Sequence, residues 1–181
     1  NDGLAWWHER IRTQLKYFDL VRIDHFRGFE AYWEIPAHHD DARGGRWVKA
    51  PGDKLFAALQ KAFGEMPLVA EDLGLITPEV IALRDKYRLP GMKILQFAFD
   101  GGSSNPYLPH NHEPHTVVYT GTHDNDTTLG WYMSLNERNR LYVNDYLGSL
   151  NDAMPWPVIR CALASVARMA IIPMQDILLM G

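Results

Sequence analysis

The sequence predicts an α/β fold. Three observations carry the prediction: short aliphatic or β-branched runs alternate with stretches of helical periodicity, 46% of the 181 residues are apolar against 22% charged, and three of the aliphatic runs end on carboxylates. Alternation of this kind argues for parallel βαβ units whose crossovers put helices on the faces of a sheet. A chain of this length and composition holds a single domain segment, residues 1–181, with a core of its own.

The elements follow in order. Leu4, Trp7, Ile11 and Leu15 recur at helical spacing over residues 4–17, with Asp2 as a candidate N-cap. Residues 18–24 then switch to the aliphatic run Leu20, Val21, Ile23, which is strand-like and too short for a buried helix. The stretch from 28 to 52 carries Gly, Pro and His and is read as loop. Asp53 is a candidate cap for a helix over 54–63 with Leu55, Ala58, Leu59 and Ala62 on one face and Gly64 closing it. A second strand is expected at 67–70. Thr77-Pro78-Glu79 is a helix start, with a capping hydroxyl, proline at the first helical position and an acid in the first turn, and that helix runs to about Tyr87. Strands are expected at 92–99, at 116–120 and, weakly patterned, at 170–173. Helical patterns fill 127–135, 137–147 and 156–169, while residues 100–115 are the most loop-like. Five β units are too few to close an eight-stranded barrel of about 250 residues, so the sheet is either open or part of a barrel.

Composition excludes several function classes. The net charge is -4 and Lys and Arg are scattered, so there is no footprint for nucleic acid or an anionic membrane. No run approaches the roughly 18 apolar residues of a membrane span, and no basic-then-apolar signal segment opens the chain. Cys161, the only cysteine, lies among Ile159, Ala162 and Leu163 and is expected to be a buried thiol, which suits a cytoplasmic location. The chain starts at Asn1 rather than Met and closes on an apolar-rich run, so it reads as a segment of a longer protein.

The carboxylates that end strands are the candidates for chemistry. Asp24, Glu71 and Asp124 are expected to converge on the rim of a parallel sheet, where α/β enzymes build their sites. Arg22 and Asp24 leave the same strand face, so the guanidinium would hold Asp24 ionised and oriented as a nucleophile; a structural ion pair is the alternative. Glu71, at the edge of an apolar run and next to Asp72, would tend to stay protonated and donate a proton, unless Asp72 merely caps a turn and Glu71 is solvated. His123-Asp124-Asn125-Asp126 offers four polar side chains able to grip vicinal sugar hydroxyls and stabilise an oxocarbenium-like transition state. Two alternatives stay open there, Asp126 as an N-cap and a metal site. Gly121-Thr122-His123-Asp124 faintly resembles the Gly-Asn-His-Asp element of metallophosphoesterases, although a dinuclear site needs further His and Asp ligands. His38-His39-Asp40-Asp41 reads as a solvated loop rather than a metal site. Among the six Trp, Trp33, Trp47 and Trp131, together with Phe97, are candidate platforms for the flat C–H faces of sugars.

Taken as a set, Arg22-Ile-Asp24-His25-Phe-Arg-Gly28, Ala70-Glu71-Asp72-Leu-Gly74 and Gly121-Thr-His123-Asp124-Asn-Asp126 resemble, in order and spacing, the catalytic motifs of the amylomaltases, 4-α-glucanotransferases related to the α-amylase superfamily. Further similarity at 30–36, 45–51, 90–99 and 105–111 extends the resemblance over almost the whole chain. It implies a partial TIM (β/α)8 barrel with strands four to eight present, and a retaining transfer of 1,4-α-glucan segments between maltooligosaccharides without metal or organic cofactor. It further implies Asp24 as nucleophile, Glu71 as general acid and then base, and Asp124 as the stabiliser of the distorted sugar. Arg22 would orient Asp24, His123 would bind the donor sugar, Phe97 would stack near the acceptor and His25 would be a substrate or supporting contact. The resemblance leaves oligomeric state open. A related α-glucan hydrolase and an inactive carbohydrate-binding fragment are the competing readings.

Overall fold

The structure, a computed structural model, describes residues 3–148 and 152–181. Two compact units divide the chain, Asn1–Gly91 and Met92–Gly181. Both are mixed α/β. Among the described residues no helix is long and apolar enough to cross a membrane.

The first unit opens with α1 (Gly3–Gln14), whose Leu4, Trp7 and Ile11, with Leu15 just past its end, pack on the core as their spacing predicts; the Asp2 cap lies outside the described residues. Helical turns continue past α1, with Tyr17 and Phe18 N–H both reaching the Gln14 carbonyl. That is why the expected strand at 18–24 shrinks to β1 (Val21–Ile23), since pairing begins only where Val21 N–H meets the Pro67 carbonyl. The loop expected over 28–52 contains an antiparallel hairpin, β2 (Ala31–Glu34) and β3 (Arg46–Lys49), with Trp33 opposite Trp47 and their rings 5.4 Å apart. Aromatic and β-branched residues in two short runs around Pro36 and Gly44-Gly45 were the available signal, hidden by an intervening loop longer than a tight turn.

Helix α2 (Gly52–Phe63) buries Leu55, Phe56 and Leu59. Phe56 replaces Ala62 in the expected face, and it stacks among Phe26, Phe29 and Tyr87 at 5.4, 5.3 and 5.6 Å. Pro51, not Asp53, holds the N-cap position. The Asp53 carboxylate instead accepts the Tyr87 hydroxyl at 2.7 Å and pairs with Lys86, interactions that hold it below the usual carboxylate range and tie α2 to the end of α3 (Pro78–Lys86). Gly64 closes α2 with a φ of 72°, a conformation that glycine adopts without penalty. Thr77 occupies the N-cap of α3 without a side-chain bond to the helix.

Between the helices runs β4 (Leu68–Ala70), every residue of which is buried. It pairs in parallel with β1 in the register Val21 to Leu68, Arg22 to Val69 and Ile23 to Ala70. Just beyond β4, Asp72 accepts a hydrogen bond from Arg84 of α3 at 2.5 Å, both side chains being largely enclosed. A Cβ on Gly91 would land on this pair, so any larger residue there must displace it.

In the second unit β5 (Gly91–Ile94), β6 (Thr116–Tyr119) and β7 (Met169–Ile171) form one sheet in that order, with β6 and β7 parallel. The strand expected over 92–99 stops at Ile94 because the chain coils into a 3-10 turn over Leu95–Phe97. Helices α4 (Thr128–Ser134), α5 (Glu137–Leu147) and α6 (Trp156–Leu163) pack Val143, Val158 and Ala162 into two apolar clusters with Val118, Leu95 and Phe99. The helix expected to reach 169 ends at Leu163, and α7 (Met174–Ile177) follows β7.

A buried histidine is built into this unit. His112 has Nε2 at 2.9 Å from the Tyr107 carbonyl, so Nε2 carries the proton, and Nδ1 is left to accept from the Ser165 hydroxyl at 2.7 Å. Burial, with smaller contributions from Lys93 and His110, pulls its pKa below the ordinary 6.5.

Two predictions follow from these contacts. As pH falls below His112's ordinary 6.5, the unfolded chain takes up a proton that the folded chain refuses, so this residue's contribution to stability is intact above that value and declines towards the depressed folded pKa. Thermal melts between about pH 8 and about pH 5 should show a fall that is shallower in His112→Gln; equal slopes would remove the assignment. Gly91→Ala should lower stability by about 1–3 kcal/mol in urea unfolding by displacing the Asp72–Arg84 pair, and an unchanged midpoint would show that the pair yields at no cost.

Candidate active site

The parallel register of β1 and β4, extended by one residue, places Asp24 beside Glu71. The backbone carries the alignment past the strands: Glu71 N–H donates to the Ile23 carbonyl and Phe26 N–H to the Glu71 carbonyl, both at 2.9 Å. The two acids therefore leave adjacent strand ends about 4.8 Å apart at the backbone. Asp24 is held by Arg22, whose Nη2 donates to its Oδ1 at 2.5 Å, and its side chain is 74% exposed. The predicted pairing of these side chains across Ile23 is present.

Glu71 is positioned differently from the expectation. Asp72, the neighbour supposed to act on it, turns away to Arg84. Glu71 is instead gripped by backbone: His25 N–H donates to Oε2 at 2.6 Å and Leu73 N–H to Oε1 at 3.3 Å. His25 reaches that position with a φ of 46°, a left-handed conformation costing about 1–2 kcal/mol for a residue other than glycine. Its N–H bond to the carboxylate is what the strained backbone secures. Next to it, Arg27 was passed over in the sequence; its guanidinium lies 4.2 Å from the Trp47 ring centroid and donates to the Leu75 carbonyl, joining the hairpin to the loop after β4. Nothing in the local pattern distinguished it from an ordinary surface arginine.

In the second unit, the segment between β6 and α4 presents His123 and Asp124 outward, with side chains 70% and 73% exposed and His123 Nε2 3.4 Å from Asp124 Oδ1. The remaining polar residues of the motif point elsewhere. Asn125 Oδ1 accepts from both N–H and hydroxyl of Thr122 at 2.9 Å, the Thr122 hydroxyl accepts from Asp124 N–H at 3.2 Å, and the Asp126 carbonyl accepts from Gln96 at 3.0 Å. Thr127, rather than Asp126, caps α4 by accepting from Gly130 N–H. The four polar residues of the motif thus divide into two whose side chains are presented to solvent, His123 and Asp124, and two that brace the segment, Asn125 by its side chain and Asp126 by its carbonyl.

Phe97 lies in the 3-10 turn beyond β5, its ring edge-on to Tyr107 at 5.5 Å. Trp33 and Trp47 are exposed on the hairpin, whereas Trp131 is partly buried, packing against Phe99 and both apolar clusters. His38 and His39 stack edge to face on an exposed loop, Asp41 is committed to Arg43, and among the described residues no three His, Cys, Asp or Glu side chains gather as metal ligands. Burial pushes the Cys161 thiol up to about 11, leaving it unreactive near neutrality.

The model of the glycoside hydrolase 77 family, described as 4-alpha-glucanotransferase, matches residues 1–181. The chain is 55% identical to the 4-alpha-glucanotransferase of Thermus thermophilus, covering 99% of this chain and 38% of that protein. It is 48% identical to the chloroplastic/amyloplastic enzyme of that name from Arabidopsis thaliana, covering 100% and 32%. The chain thus spans about a third of the length of these relatives. Among solved structures, amylomaltase from Streptococcus agalactiae in complex with acarbose superposes with a TM-score of 0.93 at 38% identity, covering 97% of this chain and 36% of that one. The chain belongs to the 4-alpha-glucanotransferase family.

Proposed function

We propose that the native-length protein is a 4-α-glucanotransferase that moves a 1,4-α-glucan segment from one maltooligosaccharide to the 4-hydroxyl of another by double displacement. The observation that carries this reading is the adjacency of Asp24 and Glu71 on neighbouring strand ends. Retaining enzymes keep their two carboxyl groups about 5–5.5 Å apart, while inverting enzymes need room for a water between them. One strand spacing favours the closer arrangement.

On this reading Asp24 attacks the anomeric carbon while Glu71 gives its proton to the departing oxygen, producing a β-linked glucosyl ester and a shortened glucan. Glu71 then takes the proton of the incoming 4-hydroxyl, which displaces Asp24 and restores the α-linkage. Arg22 keeps Asp24 aimed, and the His25 N–H fixes the orientation of Glu71. Asp124 and His123 hold the distorted donor sugar, and Phe97 stacks near the acceptor. The five strands outside the hairpin serve as the fourth to the eighth of a (β/α)8 barrel. A reducing, cytoplasm-like compartment suits the lone thiol.

The test is incubation of the native-length protein with maltotriose. Glucose together with longer oligomers is the expected product pattern; glucose and maltose alone would point to hydrolysis, and binding without products to a carbohydrate-binding role. Asp24→Ala should fold normally and lose about 10⁴-fold or more in turnover. Turnover near wild type would remove Asp24 from the nucleophile's role.

A further inference from the structure

Among the described residues of the second unit, a carboxylate is enclosed without a cation against it. Asp176, in α7, is 1% exposed. Its Oδ2 accepts from the hydroxyls of Thr120 at 2.6 Å and Thr128 at 2.7 Å, and its Oδ1 accepts from Thr128 N–H at 2.7 Å. Thr120 and Thr128 are fully buried. Thr120 follows the last residue of β6 and Thr128 is the first of α4, so they bound the segment 121–127 that presents His123 and Asp124. A single carboxyl group, arriving from a distant part of the chain, therefore fastens both ends of that segment. Its two oxygens are satisfied by three donors, and burying so polar a group is tolerable only while they stay aligned.

We propose that Asp176 is the positioning residue of the 121–127 segment, setting where His123 and Asp124 stand without touching the sugar itself. The inference rests on the assignment of His123 and Asp124 to the donor sugar. The internal bonds of the segment, Asn125 to Thr122 and Thr122 to Asp124, make it a stiff unit, and Gln96 braces its far side at the Asp126 carbonyl. A stiff unit with anchored ends transmits a movement of its anchors to its tip. Releasing Thr120 and Thr128 should thus loosen the segment as a whole and displace Asp124 with it. Displacement of about 1 Å at a reacting centre is worth about 10²-fold in rate.

The native-length protein carrying Asp176→Ala is compared with wild type well below both melting temperatures, reading maltotriose turnover, acarbose inhibition, and hydrogen exchange at 121–127 against 116–119. The expected result is a loss of about 10–100-fold in kcat/KM, weakened acarbose inhibition, and faster exchange confined to 121–127. Thr128→Val, which removes one hydroxyl donor and keeps the shape, should show the same pattern more mildly, and Thr128→Ser should restore it; this pair decides the question if Asp176→Ala does not fold. A lower melting temperature with unchanged kcat, KM and exchange would overturn the proposal, leaving Asp176 a purely structural residue, as would equal losses in Thr128→Val and Thr128→Ser. Wild type that is inert on maltotriose would overturn the transferase reading and this catalytic assignment with it, whereas accelerated exchange alone would still establish the clamp.

Discussion

Everything proposed for the first unit depends on the parallel ladder between β1 and β4. Three buried residues of β4 against three of β1 fix the register, and because side chains alternate along a strand, a slip of one residue would turn Glu71 or Asp24 to the opposite face. The ladder does not stop where the strands do. Bonds from Glu71 N–H to Ile23 and from Phe26 N–H to Glu71 prolong it across the acids, so the carboxylates stand on backbone held as firmly as a strand. The left-handed turn at His25 then brings one further N–H onto Glu71, a use of local strain that only a well-supported surrounding can sustain.

Charge in this unit is sorted by position rather than by amount. Asp72 and Arg84 neutralise each other in a largely enclosed setting, whereas Arg22 holds an Asp24 that remains open to solvent. The enclosed pair links β4 to α3 and contributes to scaffolding; the open one leaves an acid accessible. Asp53 with Lys86, and Arg46 with Glu34, are exposed pairs of the kind that add little to stability.

The second unit uses a different device for the same end. Its presented residues, His123 and Asp124, lie on a connecting segment rather than on strand ends, and such segments are usually mobile. Here the segment is stiffened from inside by Asn125 and Thr122 and anchored from outside by Gln96 and Asp176. Buried polar groups that each find a partner rigidify their surroundings, and the fully enclosed Thr120, Thr128 and Asp176 form such a set.

The sequence by itself determined the α/β class, most helix positions and that Asp24 and Glu71 follow strand ends, because hydrophobic period and residue type are local properties. Boundaries failed where a local pattern met a competitor: the turns that close α1 run up to Phe18 and delay the strand to Val21, and the apolar run after Ile94 coiled into a 3-10 turn. The hairpin was missed because its partners lie across a loop that carries no tight-turn signature. Partnership was illegible throughout. Which carboxylate Arg84 would claim, which backbone N–H would reach Glu71, and that Asp176 would join Thr120 to Thr128 are pairings between residues far apart in sequence. No periodicity encodes them; they exist only once packing has brought the chain back on itself.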